Sequence, residues 1–341
     1  MNKIHQHQKQ YINPSPTLTH QPHRFINNTD MPPKGTKRKQ RQPGPSDEGP
    51  PPRRIVTEDA KISHLQLCEL NNSTSYYSSF TAKLVSVGMV DPKSGGFSQL
   101  WRDSNGYEIR SRSWGALTTR IHNSITVRNT YIVTKFKVHH LDPTYKRKGS
   151  KEKYQVLFVK QTTFNLVEIE ENDVPDDQTY TLYEWGELDC YEVGDLNAIV
   201  LEILPADDTF GSGRERYDFV LIDQSGCTAM LSWWGRIGKK LNIQARINDV
   251  IVLRHVIVET RGIKNFVHTC DVSSYQLIST DINSPNIQAS ENLISLKTFW
   301  DQAQDQVRVH YTNNKPNMIM DDYYRVPPNI MPDDFPPQYP V

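Results

Sequence analysis

The sequence predicts an all-β-dominated chain made of two consecutive five-stranded barrels with short helices, flanked by disordered tails. Three observations predict this class. Between about residues 62 and 282 the apolar residues come in short, roughly alternating runs separated by turn residues, the pattern of half-buried strands. A unit of strand, Asp-x-x-Gly turn, strand and Trp-Gly occurs twice, first at Asp103 to Gly115 and again at Asp223 to Gly235. Its turn glycines, Gly106 and Gly226, are 120 residues apart, which suits two domains in tandem and exceeds the period of a solenoid. Lastly, only 36% of the 341 positions are hydrophobic while 22 are proline, so the chain cannot pack a core from end to end.

The elements follow in order. Phe80, Ala82, Leu84, Val87 and Val90 alternate along a first strand, and Gly95-Gly96 turns the chain into a second at 97–101. Asp103-Ser104-Asn105-Gly106 is a tight-turn sequence, with Asn-Gly suited to the positive φ angles of a type I′ turn, and a third strand covers 107–114. Leu117, Ile121 and Ile125 then take helical spacing across 115–126. Strands at 130–139 and 154–168 follow, joined by a loop carrying Lys146, Arg147, Lys148, Lys151 and Lys153. Three strands, a helix and two strands is the order of an OB-fold barrel, whose helix plugs the end between strands three and four.

The order then recurs, with strands at 197–204, 217–222, 227–234, 250–258 and 266–275, a Gly-rich loop at 207–214 and a helical piece at 235–243. Leu293, Leu296 and Trp300 mark a helix after the second barrel. The expected organisation is a disordered basic tail at 1–54, a first OB domain at 55–170, an acidic linker at 171–195 and a second OB domain at 196–282. A helical segment at 283–310 and a disordered acidic, Pro-rich tail at 311–341 complete it.

Charge is balanced overall, 39 basic against 39 acidic residues, but not locally. Residues 55–170 hold 16 basic and 10 acidic side chains and residues 171–281 hold 9 and 19, so the first barrel is expected to dominate any binding of a polyanion. No run reaches the roughly 18 apolar residues of a membrane helix and the N-terminus lacks an apolar signal core, which predicts a soluble, intracellular chain without a membrane partner. Cys68, Cys190, Cys227 and Cys270 are too far apart for a Cys-x-x-Cys zinc site or a disulfide scaffold. With no phosphate-binding Gly loop, histidines mostly in the tail, and Glu168, Glu170 and Glu171 read as a linker patch, the expectation is no enzyme, no metal and no cofactor. Lys34, Lys37, Arg38, Lys39 and Arg41 in the tail read as a nuclear import signal or a loose phosphate contact, and Asp321-Asp322-Tyr323-Tyr324 as a contact for other proteins.

At its two turn–strand–Trp-Gly units the chain resembles the tandem single-stranded-DNA-binding OB domains of the large subunit of replication protein A. The second unit carries the closer likeness: a strand at 217–222, Asp223-Gln224-Ser225-Gly226, then Leu231-Ser232-Trp233-Trp234-Gly235. The resemblance covers about residues 62–282 and implies a single-stranded DNA-binding protein of replication, repair or recombination, a shortened relative akin to the meiosis-specific binders. The family's N-terminal partner-binding barrel and C-terminal zinc-ribbon barrel are expected to have no counterpart here. By position, the family's stacking aromatics fall on Phe97 in the first barrel and Trp234 in the second. Its second aromatic in each falls on Val133 and Arg261, of which only the arginine has a flat face to stack.

The residues also speak for themselves. Single-strand binding needs aromatic platforms beside a positive groove. Arg110 and Arg112, and Lys135 and Lys137, occupy alternate positions on strands three and four, so each pair shares a face and the two together predict a basic track. Lys148 lies in a loop long enough to clamp a strand. In the second barrel the candidates are Arg214, Arg216, Arg254, Arg261 and Lys264. Trp101 and Trp114 are expected to fill the first barrel. Trp233 and Trp234, adjacent on a strand, must face opposite ways, Trp234 outward. The expected partner is single-stranded DNA, with RNA left open because stacking does not read the sugar. An OB-fold scaffold that binds proteins, or a telomere binder, is the alternative.

Overall fold

The computed structural model describes residues 63–142, 152–167, 177–207, 215–261, 264–278, 290–318 and 325–336. The expected N-terminal tail with its basic cluster, Lys148, Arg214 and residues 171–176 of the acidic linker lie outside these residues, as do the side chains of Arg261 and Lys264.

The first barrel consists of β1 (His64–Leu65), a 3-10 turn (Leu67–Glu69), β2 (Ser79–Val87), β3 (Phe97–Arg102), β4 (Glu108–Ser113), α1 (Ala116–His122), β5 (Thr130–His140) and β6 (Tyr154–Val167). Strands β2, β3 and β4 form an antiparallel meander, β4 pairs in parallel with β6, β6 pairs with β5, and β5 closes the barrel on β2. This is the predicted OB connectivity. Inward residues Phe80, Leu84, Trp101, Val133 and Phe136 fill the interior, and Ile121 of α1 closes one end. Trp101 donates its indole N–H to Ser111 Oγ, which satisfies the one polar atom a buried indole carries.

The second barrel repeats the plan with β7 (Thr179–Tyr180), α2 (Leu182–Glu187), β8 (Val193–Ile203), β9 (Arg216–Ile222), β10 (Thr228–Trp234), α3 (Gly235–Gln244), β11 (Val250–Arg261) and β12 (Lys264–His268). Pairings again run β8 to β9 to β10, with β10 parallel to β12, β12 against β11, and β11 closing on β8. Trp185, Phe219, Leu231, Trp233 and Leu241 form its core. Both barrels belong to one unit, residues 57–341.

The duplication extends further than the sequence motif. Each barrel is preceded by a two-residue strand lying parallel to its first barrel strand, β1 on β2 and β7 on β8. Each is followed by a helical turn held by the turn aspartate: Asp103 accepts the Leu67 N–H at 3.2 Å, and Asp223 accepts the Leu182 N–H at 2.6 Å. The same carboxylates bind their own turns, Asp103 through the Asn105 and Tyr107 amides and Asp223 through the Ser225 amide. The turn itself differs from expectation: Gly106 (φ 77°) and Gly226 (φ 75°) are left-handed while Asn105 is not, so a type I turn followed by glycine replaces type I′.

Three boundaries also differ. The stretch expected to be linker includes β7 and α2. The expected strand at 266–275 is two strands, β12 and β13 (Ser274–Ile278), separated by a turn at 269–273 that reaches into the first barrel. The last helix, α4, spans Glu291–Met318, past the expected end at 310, and residues 325–336 return onto the second barrel. Tyr311 donates to Glu202 at 2.7 Å, the Val326 amide donates to Gly226 O at 2.8 Å, and Val326 and Met331 pack with Ile222, Phe299 and Trp300. Segments whose charge and prolines read as tail are ordered by apolar residues too few to give a periodic signal.

Candidate nucleic-acid interface

In an OB barrel the outer face of strands two and three, between the loops that join strands one and two and strands four and five, is the usual oligonucleotide surface. In the first barrel that face is β3 and β4, and it presents Ser98, Leu100 and Arg102 opposite Arg112, Arg110 and Glu108. The second barrel covers it. The turn at 269–273 inserts Asp271 and Val272: Ser98 Oγ donates to Asp271 at 3.0 Å, Arg110 pairs with Asp271 at 2.7 Å, and Ser86 donates to Val272 O at 2.7 Å. Val85, Leu100 and Val272 close an apolar contact beside them. Gly88 lies so near Asp271 that a Cβ there would overlap its carbonyl oxygen.

This contact corrects the expected track. Arg110 is buried, held at 2.9 Å by Glu152 as well as by Asp271; burial alone would lower its pKa, and the two carboxylates more than reverse that, so it remains a cation with its charge answered inside the protein. Arg112 donates to Ser98 at 3.2 Å and lies 3.6 Å from Asp271. Arg102, beside them, pairs with Glu108 and, at 2.8 Å, with Asp177, whose other oxygen lies 2.6 Å from His255 Nδ1. Asp177 thus ties the two barrels. Burial would raise its pKa, but His255 and Arg102 outweigh burial and hold it at about 2. Lys135 and Lys137 are exposed on β5, which β6 separates from β4, so the four cations do not share a face.

The aromatic assignments change as well. Phe97 is 4% exposed and belongs to the barrel core, meeting the exposed His122 of α1 edge-on, so it is not a platform. Val133 is fully buried and inward, which removes it from the surface altogether. Trp114, expected inside, is 47% exposed because β4 ends at Ser113 and the indole lies over Gly96 of the loop joining β2 and β3. Trp234 is half-buried and outward, as the alternation with Trp233 requires. The two outward indoles, one exposed and one half-buried, occupy the same place in the two barrels, one residue before the left-handed Gly115 and Gly235.

Around Trp234 the electrostatics are mixed. Arg216, its cross-strand neighbour, sets its guanidinium 5.8 Å from the indole centroid, within reach of a cation–π contact. The same guanidinium binds Asp218 at 2.8 Å and Asp207 at 3.1 Å. Arg254 is held by Asp195 at 2.7 Å. Arg236, two residues past Trp234, reaches Asp91 at 3.2 Å in the loop that carries Gly96 under Trp114, so that loop links the two indole positions across the barrel junction. Among the described residues no cluster of three or more His, Cys, Asp or Glu side chains is arranged to hold a metal, and no described helix is long and apolar enough to cross a membrane.

Sequence reasoning passed over one further surface. A groove of about 550 Å³ runs between the loop at 71–77 and the end of β5, with Tyr76, Lys137, His139 and His140 along it. The adjacent tyrosines in Asn71-Asn72-Ser73-Thr74-Ser75-Tyr76-Tyr77 were the available signal, and they precede the first strand that the alternation picks out.

No family model and no curated protein matches the chain. Among solved structures it is similar to a replication protein A heterotrimer bound to single-stranded DNA, with 15% identity, a TM-score of 0.44 and 72% of this chain covered. That match spans 55% of the other chain, so this chain corresponds to about half of its length. It is also similar to a murine DNA-binding protein bound to double-stranded DNA, with 13% identity, a TM-score of 0.36 and coverage of 59% and 95% of the two chains. A p202 HIN1 domain in complex with a double-stranded 12-mer matches at 11% identity and a TM-score of 0.34, covering 66% and 98%.

Proposed function

We propose that this protein binds single-stranded DNA through its tandem OB barrels and serves replication, repair or recombination in the nucleus, without catalysis. The observation that carries the reading is the repeated exposed tryptophan. Trp101, Trp185, Trp233 and Trp300 are all buried, whereas Trp114 and Trp234, at one equivalent position in each barrel, keep indole surface open to solvent. An exposed indole beside a guanidinium is a stacking platform for any base, and each stacked base contributes about 1–3 kcal/mol. Two platforms joined through the barrel junction engage one strand at two points, which raises affinity through effective concentration. The role in DNA metabolism follows the resemblance of the turn–strand–Trp-Gly units, and the nuclear location follows the basic cluster around Lys37-Arg38-Lys39.

The test is fluorescence anisotropy of the full chain with labelled single-stranded DNA, single-stranded RNA and duplex at two salt concentrations. The proposal expects single-stranded DNA bound in preference to duplex, with affinity falling as salt rises. Tight duplex binding, or no binding to any strand, sinks it. The covered β3–β4 face of the first barrel favours a protein-binding scaffold in the second case, because that barrel then spends its usual ligand surface on its neighbour.

A further inference from the structure

We propose that the groove between the 71–77 loop and β5 is a second nucleic-acid subsite, one that takes a phosphate and an adjoining base of a single strand. This rests on the single-strand reading above and deepens it, since it moves the first barrel's principal contact off the β3–β4 face. The groove's volume of about 550 Å³ falls in the range of roughly 300–1,000 Å³ that holds small organic ligands. It is lined by Asn72, Thr74 and Tyr76 of the loop and by the 136–140 stretch of β5, where Lys137, His139 and His140 are exposed.

Charge distinguishes it. None of these lining residues is acidic. Arg102, Arg110, Arg112, Arg216 and Arg254 each sit against a carboxylate. Lys135 and Lys137, both exposed, form no ion pair with the described residues. A phosphate reaching Lys137 therefore displaces no ion-pair partner among the described residues, which is the condition for an ammonium to add a counterion-release contribution to binding.

The aromatic part is pre-arranged. The loop that carries Tyr76 is pinned by its own hydrogen bonds: the Asn71 amide to Thr74 Oγ1 at 2.9 Å, the Ser73 amide to Asn71 Oδ1 at 2.8 Å, and the Ser78 amide to Ser75 O at 3.0 Å. Tyr77 meets Tyr76 edge-on at 5.2 Å and fixes that ring from the solvent side. Across the groove His140 packs edge-on to Tyr154 at 5.6 Å. Its Nδ1 lies 3.0 Å from Leu141 O, and a carbonyl only accepts, so Nδ1 carries the proton and Nε2 is left as the polar atom for a ligand. Aromatic faces held in place cost little ordering entropy when a base stacks on them. Only β6 separates β5 from β4, so the groove lies about 10 Å around the barrel from β4, two strand spacings away.

The experiment measures anisotropy of the full chain on a labelled oligo-dT strand over a salt series, comparing the parent with Lys137→Glu, Tyr76→Ala and, as a control on overall charge, the exposed Lys160→Glu on β6. Melting curves accompany each, and Lys137→Glu, fully on the surface, keeps the test valid if Tyr76→Ala unfolds. The inference expects Lys137→Glu to weaken binding about tenfold and to reduce the salt slope by about 0.7, the share of one phosphate on a single strand. Tyr76→Ala weakens binding to a similar extent with an unchanged slope, and Lys160→Glu binds as the parent does. If the parent binds and both groove variants match it, or if Lys160→Glu is as weak as Lys137→Glu, the groove is overturned while single-strand binding stands. If the parent binds no strand, both readings fall together.

Discussion

Trp234 and Arg110 show how one kind of strand position takes opposite roles. Both are outward on the third strand of a barrel, yet Arg110 is sealed by a neighbouring domain and Trp234 is left half open. Trp234→Ala is expected to cost about 1–3 kcal/mol of strand binding at an unaltered salt slope, because a ring face releases no counterion. Anisotropy and melting curves run together separate this from a loss of fold. Arg110→Ala should do the reverse. It strands Asp271 and Glu152 without their cation and lowers unfolding free energy by about 3–5 kcal/mol, as removal of one partner from a buried pair does. A flattened salt slope without a stability loss would instead place Arg110 on a phosphate.

Asp223 gives a signed pH dependence. Burial is the largest influence on it and raises its pKa to about 6 against the lowering effects of Ser225 and the Leu182 amide. A folded-state value above the unfolded one means the folded chain binds the extra proton. The stability this supplies is complete below about pH 4 and disappears as pH rises through about 6. Asp177, held at about 2, works the other way, its contribution being present above about pH 4 and lost only as pH falls towards 2. Between pH 4 and 6 the Asp223 effect is therefore separate from that of Asp177. Denaturant titrations should show Asp223→Asn with a flatter pH profile across that window than the parent; identical profiles would assign the slope to another group.

At the scale of elements, the turn at 269–273 decides the arrangement. It breaks an expected strand into β12 and β13 because Asp271 and Val272 find partners in the first barrel, at Ser98, Arg110 and Ser86. Gly88→Val places a side chain where Asp271 O sits, so it is expected to push the barrels apart and leave each one folded. Small-angle scattering should then record a larger radius of gyration; an unchanged radius would mean the contact tolerates the side chain. Strands and helices inside each barrel were legible from the sequence because inward residues such as Phe80, Leu84, Phe219 and Leu231 repeat at the pleat's period of two. The break at 269–273 was not, since its cause lies 161 to 186 residues earlier in the chain. Nor does alternation tell an arginine facing a phosphate from one facing Asp271. Trp114 departs from its pattern for a related reason: its residue type favours the interior, and only the end of β4 at Ser113 puts it outside.

For the whole molecule, two barrels of one plan are joined by a polar clamp, Arg102–Asp177–His255 and Arg110–Asp271, that uses the first barrel's usual ligand face. What stays available is an edge holding Trp114 and Trp234 and a carboxylate-free groove beside β5. The central claim is that these two indoles stack on bases, and tryptophan emission reads it directly. Of six tryptophans four are buried, at 0%, 0%, 3% and 1% exposure for Trp101, Trp185, Trp233 and Trp300, so only Trp114 and Trp234 can touch a strand. Titrating the full chain with oligo-dT should quench the solvent-exposed part of the emission to saturation and leave the buried part, and Trp114→Phe combined with Trp234→Phe should remove the quench without unfolding the chain. Strand binding seen by anisotropy with tryptophan emission unchanged in the parent would contradict the account.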